Sequence, residues 1–280
     1  MPRADERVKD LHTVRAKRWR LLQSGRGTAR WNMGVDEALM EEMVPGKLPV
    51  LRFYTWERPT ISLGYFQKKA DELDSAALQA LGGESVHRPT GGRAVLHDDE
   101  LTYAVVIREE DLPGNVIETY RVLSQALVHG LRILGVPAEV AHDTRPTRRS
   151  ASAACFDAPS WYEVIAGGRK LIGSAQVRRN GVILQHGSIP ITFDVERLLS
   201  CLRFSRPDLR ARTARILAVK AGALCDFLGE RPTEATIVKA LREGFAMTHN
   251  IEFDSDQLTP SEQQRATELA KTKYGQEELV

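Results

Sequence analysis

Two short turn signals, Gly167-Gly168 and Asn180-Gly181, constrain this chain more than any other feature. Both dipeptides accept the positive φ values of the tight turns that join neighbouring antiparallel strands. The segments they separate, residues 162–165, 170–176 and 182–189, are short and apolar, so three successive antiparallel strands are predicted in the middle of the chain. Residues 50–56, 60–64, 86–88 and 101–107 also read as strands, the last two on either side of a glycine-bearing loop. Helices are expected over 31–43, opened by Asn32 with Asp36 and Glu37 in its early turns, and over 71–81, stopped by Gly82 and Gly83. A third follows Asn115, with Val116, Ile117, Tyr120, Leu123, Leu127, Leu131 and Leu134 on one face, and ends at Gly135 and Pro137. Beyond Phe193 the pattern turns helical. Thr233 and Thr259 are good N-caps, the second followed by Pro260 and by Glu262 at capping-box distance. Central strands with flanking and late helices give an α+β fold.

The 280 residues suffice for one large domain or two small ones. A net charge of +2 gives no global reason to expect nucleic acid or a membrane surface as partner. Positive charge does gather locally, at Arg145, Arg148 and Arg149 and again at Arg203, Arg206, Arg210, Arg212 and Arg215. Such stretches serve as solvated faces or as docking surfaces for an acidic protein. Three cysteines form no disulfide framework and suit a reducing compartment. Residues 1–20 mix Asp5, Glu6 and Asp10 with basic residues and lack the apolar stretch of a signal peptide. No apolar run approaches the roughly 18 residues of a membrane helix, so a cytoplasmic protein is expected.

Cys201 and Cys225 lie in apolar, helical surroundings and read as core residues. Cys155 follows a run of small residues, 150–154, and precedes Phe156-Asp-Ala-Pro159, a composition suited to an exposed loop. The hairpin turning at Gly167-Gly168 returns Lys170 toward the loop from which its first strand came. A thiol of pKa near 8.5 is only a few per cent thiolate at neutral pH. An ammonium about 4 Å away favours the thiolate by roughly 4 kcal/mol before desolvation, at an effective dielectric near 20. Alone, Lys170 reads as an exposed strand lysine. Arg88-Pro-Thr-Gly-Gly-Arg-Ala-Val-Leu-His97 sets two glycines between two arginines, which lets backbone N–H groups approach a ligand. Gly173-Ser174-Ala175-Gln176 puts small residues near Lys170 and leaves room for an aliphatic chain.

These two segments, with Gly168-Arg-Lys-Leu-Ile172 and the early Asn32-Met-Gly-Val-Asp-Glu-Ala-Leu39, resemble the lipoate-protein ligase and octanoyltransferase family, which shares its catalytic domain with biotin protein ligases. The resemblance covers residues 19–252 as a catalytic domain and leaves 253–280 as a C-terminal helical extension. Gly34 stands where alanine is expected. The implied fold is a mostly antiparallel central sheet flanked by helices, like the biotin and lipoate ligase domain and class II synthetases. Within the family, Ala154-Cys155-Phe156 followed by Ser160-Trp-Tyr-Glu-Val164 resembles the cysteine-dependent octanoyltransferases. That resemblance implies Cys155 as the nucleophile that carries an acyl-thioester, and Lys170 as the residue that lowers its pKa and polarises the carbonyl. The donor implied is octanoyl-acyl carrier protein. The acceptor is a lysine of an apo lipoyl-accepting protein such as the glycine-cleavage H protein. Thioester exchange is near-isoenergetic, so neither ATP nor another cofactor nor a metal is called for. Arg88, Thr90, Gly91, Gly92, Arg93, Ala94 and His97 would line the acyl tunnel, Arg93 and His97 near its mouth, together with Gly173, Ser174, Ala175 and Gln176. An ATP-dependent lipoate ligase shares the glycine loop and the lysine without needing Cys155. An octanoyl amidotransferase uses a cysteine in a different motif, and a non-catalytic carrier-binding protein would need neither Cys155 nor Lys170.

Overall fold

The computed structural model describes residues 14–141 and 163–275. Its centre is an eight-stranded sheet. In spatial order the strands are β11 (Glu252–Asp256), β1 (Arg18–Gly27), β2 (Val50–Trp56), β6 (Glu100–Arg108), β10 (Val182–Pro190), β9 (Arg169–Arg179), β8 (Val164–Ala166) and β7 (Ala138–Val140). β1 pairs in parallel with β11 and β2; every other pairing in this sheet is antiparallel. Both predicted hairpins form, with φ of 54° and 74° at Gly167 and Gly168 and 52° and 75° at Asn180 and Gly181. A second, three-stranded sheet holds β3 (Thr60–Leu63) between β4 (Glu84–His87) and β5 (Val95–His97).

Strand alternation gives the large sheet two unlike faces. Leu51 and Phe53 of β2, Leu101, Tyr103, Val105 and Ile107 of β6, and Ile183 and Ile189 of β10 belong to one apolar core. α4 (Val116–Ile133) and α7 (Glu234–His249) supply the other half of that core, including Leu123, Leu127, Leu131, Ile237, Leu241 and Phe245. The opposite face carries Arg52, Tyr54, Thr102, His186 and Ser188 beside Val50, Ala104, Val106 and Leu184, and α1 (Ala29–Glu41) lies on it. α8 (Pro260–Thr272) packs on α1, where a Cβ on Gly34 would come within 2.7 Å of the Ala266 carbonyl oxygen. Glycine at this position lets the two helices close up.

Several expectations need correction. α1 is capped by Thr28, whose side chain accepts from the Trp31 N–H, and not by Asn32, which is buried within the helix. Asp36 and Glu37 lie beyond its first turn and are buried in ion pairs rather than serving the helix dipole. The helix expected over 71–81 is two pieces, α2 (Lys69–Glu72) and α3 (Ser75–Ala80), because Leu73 turns into an apolar cluster and Asp74 caps a new start. On α4 the buried stripe is rotated, leaving Val116 and Ile117 exposed while Thr119, Val122 and Ala126 are covered. The capping box at Thr259 and the cap at Thr233 form as read, and Asn115 caps α4 and also closes a box with Glu118. β1 and β11 have no counterpart in the sequence reading. No helix among the described residues is long and apolar enough to cross a membrane.

Candidate active site

A small cavity opens between the polar face of the large sheet and the three-stranded sheet. Met33, Tyr54, Trp56 and Val95 give it apolar wall; Ser62, Arg88, His97, Thr102, His186 and Ser188 give it polar wall. Gly173, Ser174, Ala175 and Gly187 complete it. Register explains why two of the small residues on β9 matter more than the others. Gly173 lies opposite Ser188 and Ala175 opposite His186, so both stand on the cavity face. Ser174 and Gln176 pair with Gly187 and Gln185 and project to the other side. There Ser174 Oγ meets Tyr103 Oη at 2.8 Å, and the Gln176 amide donates to Gln185 Oε1 at 2.9 Å.

The glycine loop is held from within. Arg88 donates to the carbonyls of Ser62 (2.8 Å), Gly91 (2.8 Å) and Arg93 (2.7 Å), and to Ser62 Oγ (3.1 Å). Its guanidinium is thus a clamp on the loop. Gly92 has φ of 95°, and a Cβ on Gly64 would lie 2.0 Å from the Gly92 carbonyl oxygen, so the loop closes on β3 by backbone contact. Thr90 is buried behind the wall and Ala94 belongs to the apolar cluster beneath the small sheet. Arg93 is half-buried, and neither it nor Gly91 lines the cavity.

Two hydroxyl–imidazole–carboxylate relays flank the cavity. Ser62 Oγ lies 2.8 Å from His97 Nε2, and His97 Nδ1 lies 3.0 Å from Glu100 Oε1. Glu100 also accepts from Trp56 Nε1 at 2.9 Å and from Thr102 and Ser188, and the His97 ring stacks on Trp56 at 4.2 Å. In the second relay Thr90 Oγ1 is 2.7 Å from His186 Nε2, and His186 Nδ1 is 2.9 Å from Asp36 Oδ2. Asp36 further accepts from Arg52 at 2.6 Å and from Tyr54 at 2.9 Å, all in full burial. Burial alone would raise the Asp36 carboxyl, but the Arg52 guanidinium and the His186 and Tyr54 bonds outweigh it and hold the pKa below the usual range. Burial lowers His186, so it is neutral at pH 7 and its Nδ1–H donates to Asp36. With a hydroxyl on each Nε2, both imidazoles fix the wall in the resting state.

Lys170 is placed by a bulge. Register shifts between Val164 and Ile165, so Leu171 and Ile172 both enter the apolar core and Lys170 turns away from it. Its Nζ donates to Glu163 Oε1 at 2.5 Å, with both side chains buried. The Lys170 backbone also bridges to Ala221, and its carbonyl accepts from Gly222 at 2.8 Å. Cys155 lies outside the described residues, as do Arg145, Arg148 and Arg149. Cys201 is a core residue, its thiol pushed up by burial, and Cys225 packs at the edge of the main core. Sequence reasoning missed Trp56, His186, Glu100, the Asp36–Arg52 pair and Glu163. The available signal was a charged or histidine residue inside a strand otherwise apolar enough to be buried, Arg52 in VLRFYTW and His186 in VILQHGSIP.

Comparison with known proteins agrees with this geometry. The family model described as the lipoyl protein ligase A/B catalytic domain matches residues 28–246. The chain belongs to that family. It is similar to the octanoyltransferase LipM of Kyrpidia tusciae, 47% identical over 258 residues that cover 90% of this chain and 94% of the relative. Among solved structures, the bi-partite lipoate protein ligase of Thermoplasma acidophilum superposes with a TM-score of 0.80 at 28% identity, covering 94% of this chain and 95% of that one. A lipoate-protein ligase A bound with ATP gives 0.76 at 28% identity, covering 92% and 96%. The α+β class and the ligase-like sheet expected from the sequence are thereby established.

Proposed function

We infer that this enzyme is an octanoyltransferase of lipoate biosynthesis that moves octanoyl from octanoyl-acyl carrier protein, through a thioester on Cys155, to the lipoyl-accepting lysine of a carrier such as glycine-cleavage H protein. What carries the reading is the 47% identity, over nine-tenths of both chains, to a protein named octanoyltransferase. The small cavity-facing residues Gly173 and Ala175 leave room for a straight acyl chain against Trp56, Met33 and Val95.

The Cys155 thiolate attacks the incoming thioester carbonyl; one carbon–sulfur bond forms as the other breaks, and the carrier leaves as a thiolate that takes a proton from solvent. The acceptor amine then attacks the acyl-enzyme, an amide forms as the carbon–sulfur bond breaks, the amine gives up a proton to solvent, and Cys155 is released as thiolate. Lys170 supports the thiolate and the developing oxyanion as a directed N–H donor. Glu163 at 2.5 Å offsets much of the lysine's long-range field, so Lys170 acts at short range, and Glu163 is the residue that aims it. A free thiol nucleophile is favoured by a reducing compartment, which supports a cytoplasmic location.

The test is incubation with octanoyl-acyl carrier protein without ATP, followed by peptide mass spectrometry. An octanoyl adduct on the Cys155 peptide is expected, released by hydroxylamine, absent in Cys155→Ser, and discharged by apo H protein. The structural similarity to a ligase bound with ATP supports a second reading, ATP-dependent lipoate ligation. Acceptor labelling that requires ATP and free lipoate, with no thioester on Cys155, would establish that reading instead.

A further inference from the structure

The helix α6 (Pro207–Lys220) is hardly a core element, since only Thr213 and Leu217 among its residues are buried. Between positions 203 and 220, six basic residues stand against one acid, Asp208, in a chain whose net charge is only +2. Asp208 is taken by Arg206 at 2.6 Å, and Glu196, on α5 (Val195–Ser200), is taken by Arg210 at 2.7 Å. Arg212 and Arg215 have no carboxylate partner among the described residues. With Ala211, Ala218, Val219 and Lys220 they form an exposed ridge of small apolar residues bordered by positive charge. That composition fits packing against an acidic helix.

The ridge is also aimed. α6 ends where Ala221 bridges to Lys170, and the Arg169 Nε donates to the Ala221 carbonyl at 2.7 Å. From Arg212 to Ala221 the helix covers about 14 Å, at 1.5 Å per residue. We propose that this α6 ridge is the docking surface for the acyl donor, an acidic carrier protein that presents its thioester on a flexible arm. The proposal rests on the transferase reading above. Reach selects the donor over the acceptor. An acceptor lysine has only its short side-chain stem and must bring its own surface flush with the cavity. A donor with a long arm can dock on a helix set back from Lys170 and still deliver its thioester there.

Charge reversal at two exposed positions tests it: Arg212→Glu with Arg215→Glu, beside the milder pair Arg212→Gln with Arg215→Gln. Single-turnover loading is measured from octanoyl-acyl carrier protein and from the small thioester octanoyl-pantetheine, as is discharge of preloaded enzyme to apo H protein. Subsaturating loading from the carrier at low salt should fall about tenfold or more in the reversal variant and less in the neutral one. The gap should close at high salt. Loading from the small thioester and discharge should match wild type, which also reports an intact fold. Unchanged loading from the carrier overturns the proposal, as does a defect confined to discharge, which would give the ridge to the acceptor. A wild-type enzyme that loads from octanoyl-pantetheine and not from the carrier overturns the donor assignment itself.

Discussion

The two faces of the central sheet are built on opposite principles from the same alternating strands. On one, Leu51, Val105 and Ile183 meet Leu127 and Phe245 in a dry core whose stability comes from area removed from water. On the other, Arg52, Thr102, His186 and Ser188 occupy positions where aliphatic residues would also fit, and every one of these polar side chains is buried. A buried ion pair seldom stabilises more than a well-packed apolar replacement. Its benefit here is placement: Asp36 ties α1, β2 and β10 together and sets the wall of a cavity that stays open.

The largest test of that contrast is Arg52→Met, which leaves the Asp36 carboxylate buried without its cation. A loss of about 3–5 kcal/mol in urea unfolding is expected. The double variant Arg52→Met with Asp36→Leu should regain most of the stability and none of the octanoyl loading; recovery of both would erase the distinction between the faces. On the dry side, Leu127→Ala should cost about 2–5 kcal/mol while leaving turnover per folded molecule unchanged. A drop in turnover at a temperature where the variant is folded would show that the faces are coupled.

The dry side also carries a titrating group. His249, at the end of α7, is held down to about 4, first by burial and then by the Lys17 charge. Its folded pKa is depressed, so between about 6.5 and 4 the unfolded chain binds a proton that the native state refuses. Stability should therefore fall with pH across that window, by up to about 3 kcal/mol for this residue. His249→Gln should flatten that part of the curve, and an unaltered slope would assign it elsewhere. The smallest effect is expected at His97→Gln, about 1 kcal/mol, since glutamine can still donate to Glu100 while Ser62 loses its imidazole. Loading should slow more than stability falls, which paired denaturation and single-turnover measurements would show.

Legibility in the sequence followed locality. The hairpins at Gly167 and Asn180 were readable because a turn is decided by its own two residues. β1 was not: its sequence RWRLLQSGRG is charged and glycine-bearing, and it is a strand because of parallel partners far along the chain. Asn32 looked like a cap because the side chain suits one; instead its amide donates to the Gly27 and Thr55 carbonyls and its oxygen accepts from Arg52. The glycine loop and the Gly173 to Ala175 stretch announced the cavity through their composition. Glu163 sat unassigned beside the Cys155 motif, since only the bulge at Leu171 brings Lys170 to it.

The contact at Gly34 carries a practical consequence for anyone trimming the protein. α8 rests on the helix that holds Asn32 and Asp36, and Glu37 of that helix is gripped by Lys273 at 2.6 Å and by Tyr274. The tail is a splint on the cavity's supporting helix. Shortening the protein before residue 260, or fusing a bulky tag immediately after Tyr274, would be an alteration of the cavity made from the outside.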